Sequence, residues 1–467
     1  MSNKTALAIL LLVGITPTIA PAQNLCPAST TGERLICLVP QVLGPNGLVL
    51  PAGPAQFQNN FAGNSLAPLN SAIARQSVFL PLASPSSGIT YSWDPSAKTF
   101  APTTDSFGPI YGERSETIGK YRLFLGLNYQ YFAFSSMDGT SLKRLPEVFT
   151  QPDLTITVNG VSENCSTTGV TGSNVGDCAF IRDVVTVDNR VDLKIHQVTA
   201  FMTFGLANRI DVSVAIPIQN IHMSIASNAT IVDNSSSGVH AFLCAQGTCL
   251  QQTFFSASRA SGIGDITLRM KGTAWKGERA GLAIGADVRL PTGDSLNFLG
   301  SGAVGVKPFV VWSYRARVSP HFGAGFEANG SSRVAGDITT GSKERLPGQF
   351  TYAAGADVWL NKRITAAFDL VGQLVLQGQQ VNVTKFTELG ACLQTPPTPC
   401  AGPTFAPPNK DDNLAPTTAS FNVINASAGV KMKLVSALML TGNVVFKTND
   451  NGLRAKVIPM GELSYTF

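Results

Sequence analysis

The sequence predicts an all-β protein, a closed antiparallel transmembrane β-barrel of twelve strands with an irregular N-terminal segment. Of the 467 residues, 44% are hydrophobic and only 13% are charged, and the mean hydropathy is +0.14. A soluble protein carries about twice that charged share, and a helical membrane protein contains apolar runs of about 20 residues. Apolar and polar residues instead alternate in short segments from residue 119 onwards. Such alternation, separated by turn residues, is typical of outer-membrane barrels, whereas a soluble β-sandwich would need more charge on its surface.

Residues 1–22 are expected to be a signal peptide. Lys4 supplies the basic start, residues 6–15 form an apolar run too short to span a bilayer, and small residues precede the cleavage position after Ala22. Lipidation of Cys26 is the alternative, but Leu25 stands where a lipobox requires a small residue. The chain is therefore expected in the bacterial outer membrane.

Residues 23–118 form an irregular region rich in Pro, Ser, Asn and Gly. Two pieces of it, residues 77–82 and 89–93, could be strands, and their addition would raise the barrel from twelve strands to fourteen. The region is expected to lie in the periplasm or to enter the lumen as a plug.

Residues 119–467 are expected to form the barrel. In residues 204–218 the apolar Ile210, Val212 and Val214 share one face, and Asp211 and Ser213 share the other, as a strand between lipid and lumen requires. Short turns alternate along the chain with long connections, which is the arrangement of periplasmic turns and external loops in such barrels.

The last residues, GELSYTF, continue the alternation and end on Phe467. They are expected to form the closing strand, with an aromatic end at the periplasmic interface. This ending resembles the signal that the bacterial barrel-assembly machinery recognises, so that machinery and outer-membrane lipid are the expected partners.

Eight cysteines fall into four pairs that are close in sequence. In an oxidising compartment the simplest hypothesis is four local disulfides, although eight cysteines allow 105 connectivities. A metal site is less well supported, because the spacings are not CxxC and His residues are absent at ligand distance in sequence. The predicted pairs are Cys26/Cys37, Cys165/Cys178, Cys244/Cys249 and Cys392/Cys400.

Charged residues of both signs occupy inward positions and are predicted to line the lumen. Mixed signs argue against a strongly ion-selective pore, and opposite charges could equally pair across strands and stiffen the wall. Inward Phe124, Phe309 and Trp359 could form an apolar path or pack against a plug. The predicted lining residues are Arg122, Asp265, Arg269, Lys271, Asp287, Arg289, Lys307, His321, Glu327, Asp357, Asp369 and Glu462.

Catalytic, cofactor-binding and nucleic-acid-binding signatures are not evident in the sequence. His321 and Ser319 share the inward parity, whereas a lipid hydrolase needs this pair on the lipid face, and the sequence has no GxSxG motif. The glycine-rich residues 290–305 lack the Lys-Ser/Thr of a P-loop. We therefore expect neither an enzyme nor a bound cofactor, and no nucleic-acid partner.

Three stretches resemble a known family: FGLANRIDVSVAIP (204–217), GIGDITLRMKG (262–272) and ADVRLPTGDSLNFLGSGAVGVKPF (286–309). They resemble the outer-membrane family of the phenol-degradation meta-pathway, which is similar in logic to the long-chain fatty-acid transporter barrels. The resemblance covers roughly residues 120–467 and implies passive uptake of small hydrophobic or aromatic compounds. It also makes residues 106–114 a candidate plug. A general diffusion porin, or a structural or adhesive barrel acting through braced external loops, remains the alternative.

Overall fold

The computed structural model describes the barrel and parts of the N-terminal region. The predicted signal peptide lies outside the described residues, as do four of the cysteines, Cys165, Cys178, Cys392 and Cys400. The described residues are 25–27, 34–45, 47–50, 60–61, 66–77, 80, 91–94, 99–102, 106–151, 155–158, 161–164, 182–234, 240–337, 340–388, 390, 409–435 and 437–467.

Twelve antiparallel strands form the barrel, which confirms the predicted fold class. Each strand pairs with its neighbours in chain order. The strands are β1 (Leu123–Met137), β2 (Val184–Ala207), β3 (Ile210–Val232), β4 (Ile266–Lys276), β5 (Ala280–Leu290), β6 (Gly305–Tyr314), β7 (Val318–Asn329), β8 (Gln349–Asn361), β9 (Ile364–Thr387), β10 (Lys410–Val435), β11 (Leu438–Lys447) and β12 (Val457–Thr466).

The barrel closes between β12 and β1. Their register runs from Met460 opposite Gln130 to Thr466 opposite Phe124, and Phe467 N donates to Leu123 O at 2.8 Å. Closure pairs the backbone of both edge strands, and a bilayer interior demands this because it offers no other hydrogen-bond partner. The final alternating residues are thus the closing strand, as predicted.

The outer face of the barrel is apolar. In β1, Leu125, Leu127 and Tyr129 are exposed, whereas the intervening Asn128 and Gln130 are buried. The same alternation continues around the wall, with exposed Leu268, Met270, Ile284, Val310, Phe322, Phe368, Leu370, Leu440 and Leu463. This lipid-facing surface identifies a bacterial outer-membrane barrel.

Two hairpins extend far beyond the barrel on the side of the long connections. Strands β2 and β3 have 24 and 23 residues, and β9 and β10 have 24 and 26. The strand Gln251–Ile263 pairs with the outer part of β3, while β4 pairs with its inner part. From the sequence, we interpreted these long connections as external loops. In the structure the strands continue into them, because the alternation of apolar and polar residues also continues.

Short elements fill the remaining long connections. They form small two-stranded ribbons or add to the barrel edge. They are Thr140–Ser141, Leu145–Thr150, Thr155–Val158, Val161–Asn164, Phe242–Cys244, Gly247–Cys249, the 3-10 turn Ser295–Asn297, Ser331–Ser332, Glu344–Arg345 and Leu453–Ala455.

The N-terminal region contains helices α1 (Leu35–Leu38) and α2 (Leu66–Ser77) and the ribbons Leu48–Val49/Asn60–Phe61 and Tyr91–Asp94/Thr99–Pro102. The alternative of fourteen barrel strands was wrong. Helix α2 includes the first residue of the proposed strand at 77–82, and the ribbon at 91–94 pairs outside the barrel. Within the described residues, helices lack the length and apolarity to cross a membrane.

Two of the four predicted disulfides lie within the described residues, and both are formed. Cys26 pairs with Cys37 across 11 residues, beside the buried helix α1, and Cys244 pairs with Cys249 across an exposed ribbon. The first disulfide joins the residues that precede helix α1 to Cys37 within that helix, and both cysteines lie in the main apolar cluster.

Candidate functional site

Residues 106–122 cross the barrel at the end that carries the short turns. Thr117 Oγ1 donates to the carbonyl of Asn208 in the β2–β3 turn, at 3.0 Å. Ser115 Oγ lies 2.7 Å from Ser313 Oγ, and Tyr121 N donates to Gly205 O at 2.7 Å. We call residues 106–118 the inner segment. It is buried and irregular, so its peptide groups need partners from the wall.

Inward carboxylates supply several of those partners. Asp369 Oδ2 accepts from the backbone N–H groups of Ile110 and Tyr111, at 3.3 and 3.1 Å. Asp211 Oδ2 accepts from Ile118 N at 2.9 Å. A carboxylate can accept several bonds at once, which suits it to a segment with no sheet neighbours.

Ion pairs fix the charged side chains of the inner segment. Glu113 bonds to Arg269 and, at 3.1 Å, to Lys271. Arg114 Nη2 lies 2.8 Å from Asp357 Oδ2, and both side chains are at most 5% exposed.

Glu116 makes a further ion pair near the β6–β7 turn, with its Oε1 2.7 Å from Arg315 Nη1. Buried pairs of this kind are costly to break, because removal of one partner leaves an uncompensated charge. The inner segment is therefore strongly held at this end.

Gly112 allows the inner segment to approach the wall closely. A Cβ at this position would lie 2.4 Å from the His321 ring. The ring is fixed, since His321 Nε2 lies 2.6 Å from Asp369 Oδ1. A side chain at residue 112 would thus displace either the segment or a buried pair.

Sequence reasoning missed Lys431, which is fully buried on β10. Its Nζ donates to the carbonyls of Pro109 and Phe107, at 2.5 and 3.3 Å. Lys431 alternates along β10 in step with the inward-facing Ser427 and Gly429, and this position in the sequence pattern could have identified it.

A cavity of 320 Å³ lies between the inner segment and the long connections. Helix α2 borders it through Arg75 and Gln76, and Tyr111 and Glu113 of the inner segment also line it. The volume is near the lower limit of small-molecule pockets.

One side of the cavity is a belt of ion pairs. Arg269 Nε lies 2.6 Å from Asp287 Oδ1, and Lys307 Nζ lies 3.0 Å from Asp287 Oδ2. These residues come from β4, β5 and β6, so the belt joins adjacent strands.

Arg289 continues the belt. Its Nη1 lies 3.0 Å from Asp265 Oδ2, and its Nη2 lies 3.0 Å from Glu327 Oε1 on β7. Six predicted lining residues therefore form two paired groups on neighbouring strands, which we together call the ionic belt: Arg269, Asp287 and Lys307 in one, and Asp265, Arg289 and Glu327 in the other.

The opposite side of the cavity is apolar. The side chains of Phe132, Phe134, Phe201 and Phe421 line it, and the first two stack with ring centroids 6.1 Å apart. Arg454, also missed by sequence reasoning, is the charged residue on this side.

The other predicted lining residues lie away from the ionic belt. His321, Asp357 and Asp369 bind or flank the inner segment, and Glu462 is buried on β12. Arg122 directly precedes β1 and is half-buried. Among the inward aromatic residues, Phe309 lines the cavity, Phe124 is buried and Trp359 is half-buried.

The ladder between β6 and β7 is interrupted at Lys307 and Pro308, and we call this interruption the notch. Val306 pairs with Ala328 and Phe309 pairs with Gly325, but the intervening Pro308 has no partner in this register. Proline has no N–H to donate to a ladder. An apolar outer hollow lies here, and Phe309 borders both this hollow and the inner cavity.

Metal binding has no support in the described part of the chain, where no group of three or more His, Cys, Asp or Glu residues could hold an ion.

A search of curated proteins finds no match. Among solved structures, an outer membrane channel from Pseudomonas putida F1 has 11% identity and a TM-score of 0.39, over 76% of this chain and 98% of that one. A FadL homologue from Pseudomonas aeruginosa has 10% identity and a TM-score of 0.30, over 82% and 94%. The TodX monoaromatic hydrocarbon channel, as a mutant, has 8% identity and a TM-score of 0.22, over 85% and 97%.

The model of the family described as the MetA-pathway of phenol degradation matches residues 182–382. The three stretches that carry the resemblance in the sequence lie within this match. The resemblance of this chain to the phenol-degradation family is thereby confirmed.

Proposed function

We propose that the protein is an outer-membrane channel for passive uptake of small hydrophobic or aromatic solutes, with the inner segment as its plug. The cavity carries this proposal. It is a small internal space with a phenylalanine-lined side, directly above a buried segment that crosses the lumen. A solute leaving the polar cell surface gains free energy on contact with these rings and needs no energy source to move down its gradient. The match to the phenol-degradation family favours the same solute class.

The notch at Pro308 is the proposed exit. The inner segment blocks the short-turn end through buried ion pairs, so passage there would require several of them to break. Phe309, Val310 and Ala324 border both the cavity and the outer hollow, and the Phe309 ring can rotate without loss of a hydrogen bond. A solute with an apolar body would leave sideways towards lipid, while sugars and inorganic ions would be retained.

Transport measurements test the proposal. Proteoliposomes should take up toluene or benzyl alcohol saturably, with little sucrose uptake and little ionic conductance in planar bilayers. Free sucrose passage with large conductance would instead indicate a general porin. Failure to move any solute, by a folded and heat-modifiable barrel, would contradict the channel and favour an adhesive role for the loops.

Two matched variants test the exit. Ala324 borders the hollow on the outer face of β7, and Ala328 lies two outward positions further along the same strand, beyond Phe326. Ala324→Trp should reduce toluene uptake at least about tenfold, because the indole fills the hollow. Ala328→Trp should leave uptake unchanged. Equal uptake in both variants would exclude this exit.

A further inference from the structure

Arg454 differs from the other cations of the cavity. Arg269, Arg289 and Lys307 each lie within 3.0 Å of a carboxylate oxygen, and Arg75 lies 3.5 Å from Glu344. Within the described residues, no carboxylate oxygen lies within 4.0 Å of the Arg454 guanidinium, although Arg454 is only 3% exposed. A buried guanidinium without a counter-charge is costly unless a ligand supplies that charge.

The hydrogen bonds of Arg454 leave part of its guanidinium without a partner. Nη2 donates to Ile424 O at 2.6 Å and to Asn425 Oδ1 at 2.8 Å, and buried Nε has no partner. Asp450, the acidic residue whose charge acts on Arg454, is exposed and already paired with Lys447. The nearest acid is therefore occupied.

Arg454 shares the lining of its cavity with aromatic side chains. Ala455 pairs with Phe134 in the register that joins Leu453–Ala455 to β1, and a bulge between Arg454 and Ala455 accompanies this pairing. Phe134 and Phe421 line the same cavity as Arg454. A cation among rings suits a solute that has an apolar body and one anionic end.

We propose that the cavity has an anion subsite at Arg454 and that its preferred solutes are small aromatic carboxylates. This inference rests on the proposed function and specifies its solute class. The carboxylate of the solute would accept hydrogen bonds from the guanidinium and would supply its missing counter-charge. The aromatic ring of the solute would lie among Phe132, Phe134 and Phe421. The ionic belt, in which every cation is already paired, would not compete for the anion.

Binding to the full-length purified protein tests the subsite, with benzoate and its neutral isostere benzyl alcohol as probes at pH 8. We expect wild type to bind benzoate more tightly than benzyl alcohol. Arg454→Met should weaken benzoate binding at least about tenfold, the loss expected for one charge-assisted hydrogen bond, and change benzyl alcohol binding less than about twofold. Arg454→Lys should restore part of the benzoate affinity.

Arg363→Met is the matched control, because Arg363 lies exposed in the β8–β9 turn and should leave both affinities unchanged. Unchanged benzoate affinity in Arg454→Met, or an equal loss for both probes, would overturn the subsite. The proposed function is judged separately, by toluene and benzyl alcohol uptake into proteoliposomes. Uptake of the neutral solutes without an Arg454-dependent preference for benzoate would overturn only this inference.

Discussion

The N-terminal residues at the two ends of the barrel are held by different kinds of contact. At the short-turn end, the inner segment is held by ion pairs and by carboxylates that bind its backbone, such as Asp357 with Arg114 and Asp369 with Tyr111. At the other end, α2 lies over the cavity, with buried Leu69 and Ile73 in an apolar cluster and an exposed ion pair between Arg75 and Glu344.

This difference has a physical consequence. Buried charges must stay paired, so the inner segment has essentially one stable position. Apolar contacts are non-directional, so helix α2, which we call the outer cover, can shift at a lower cost than a segment that is held by buried charges. We therefore expect solutes to enter beneath the outer cover and the inner segment to stay in place.

The largest effect should follow from Asp357→Ala. This change leaves Arg114 buried without its partner, which costs about 3–5 kcal/mol. We expect the inner segment to detach, ionic conductance to rise, and residues 106–118 to become sensitive to protease.

The double variant Asp357→Leu/Arg114→Met is its control. Replacement of both charges by apolar side chains removes the uncompensated charge and should restore low conductance. If Asp357→Ala conducts as little as wild type, ion pairs are not what closes this end.

A smaller effect is expected at the outer end from Leu69→Ala. Loss of this fully buried side chain costs about 2–5 kcal/mol in a packed core. We expect looser attachment of α2, detected as faster hydrogen exchange of its amides. Conductance should stay low, because the inner segment is untouched. A rise in conductance would show that α2, rather than the inner segment, closes the lumen.

The barrel was predictable because alternation along each strand reports directly which face meets lipid. The strand order, the twelve-strand count and the closing strand all followed from it. The extensions of β2, β3, β9 and β10 were missed, because a long connection was equated with an irregular loop. Helix α2 was missed because LAPLNSAIARQS is short and weakly amphipathic, with a proline in its first turn.

The site was less predictable than the fold. Inward parity singled out the residues of the ionic belt, but not which charges pair, since pairing depends on the offset between strands. Arg454 belongs to a three-residue strand between β11 and β12, where too few residues exist to reveal a period. The partners in the inner segment come from a distant, irregular part of the chain, which no local pattern could align with β8 and β9.

The tips of the two long hairpins should respond to pH. Asn234 Nδ2 donates to Glu388 Oε2 at 3.0 Å, which joins the β2–β3 side to the β9–β10 side. Burial, with the hydrogen bond and charge of Asp411 as further causes, raises the pKa of Glu388 from 4.5 to about 7. Because the folded pKa is raised, the stabilising contribution is complete below pH about 4.5 and is lost as the pH rises through 7.

Spin labels on the two hairpins, with distances measured from pH 4 to pH 8, test this expectation. The separation should increase as the pH rises through about 7 in wild type. Glu388→Gln stays neutral and should keep the tips together at every pH. A pH response that persists in Glu388→Gln would assign the effect to another group.

The smallest effect is expected from Glu344→Gln. Glu344 is 65% exposed and lies 3.5 Å from Arg75 of α2, and an exposed pair of this kind contributes about 0–1 kcal/mol. Hydrogen exchange of α2 should therefore change far less than in Leu69→Ala, and the small difference should vanish in 1 M salt, where screening is nearly complete. If Glu344→Gln instead loosens α2 as much as Leu69→Ala does, ion pairs also hold α2 in place. The contrast between the two ends of the barrel would then be wrong.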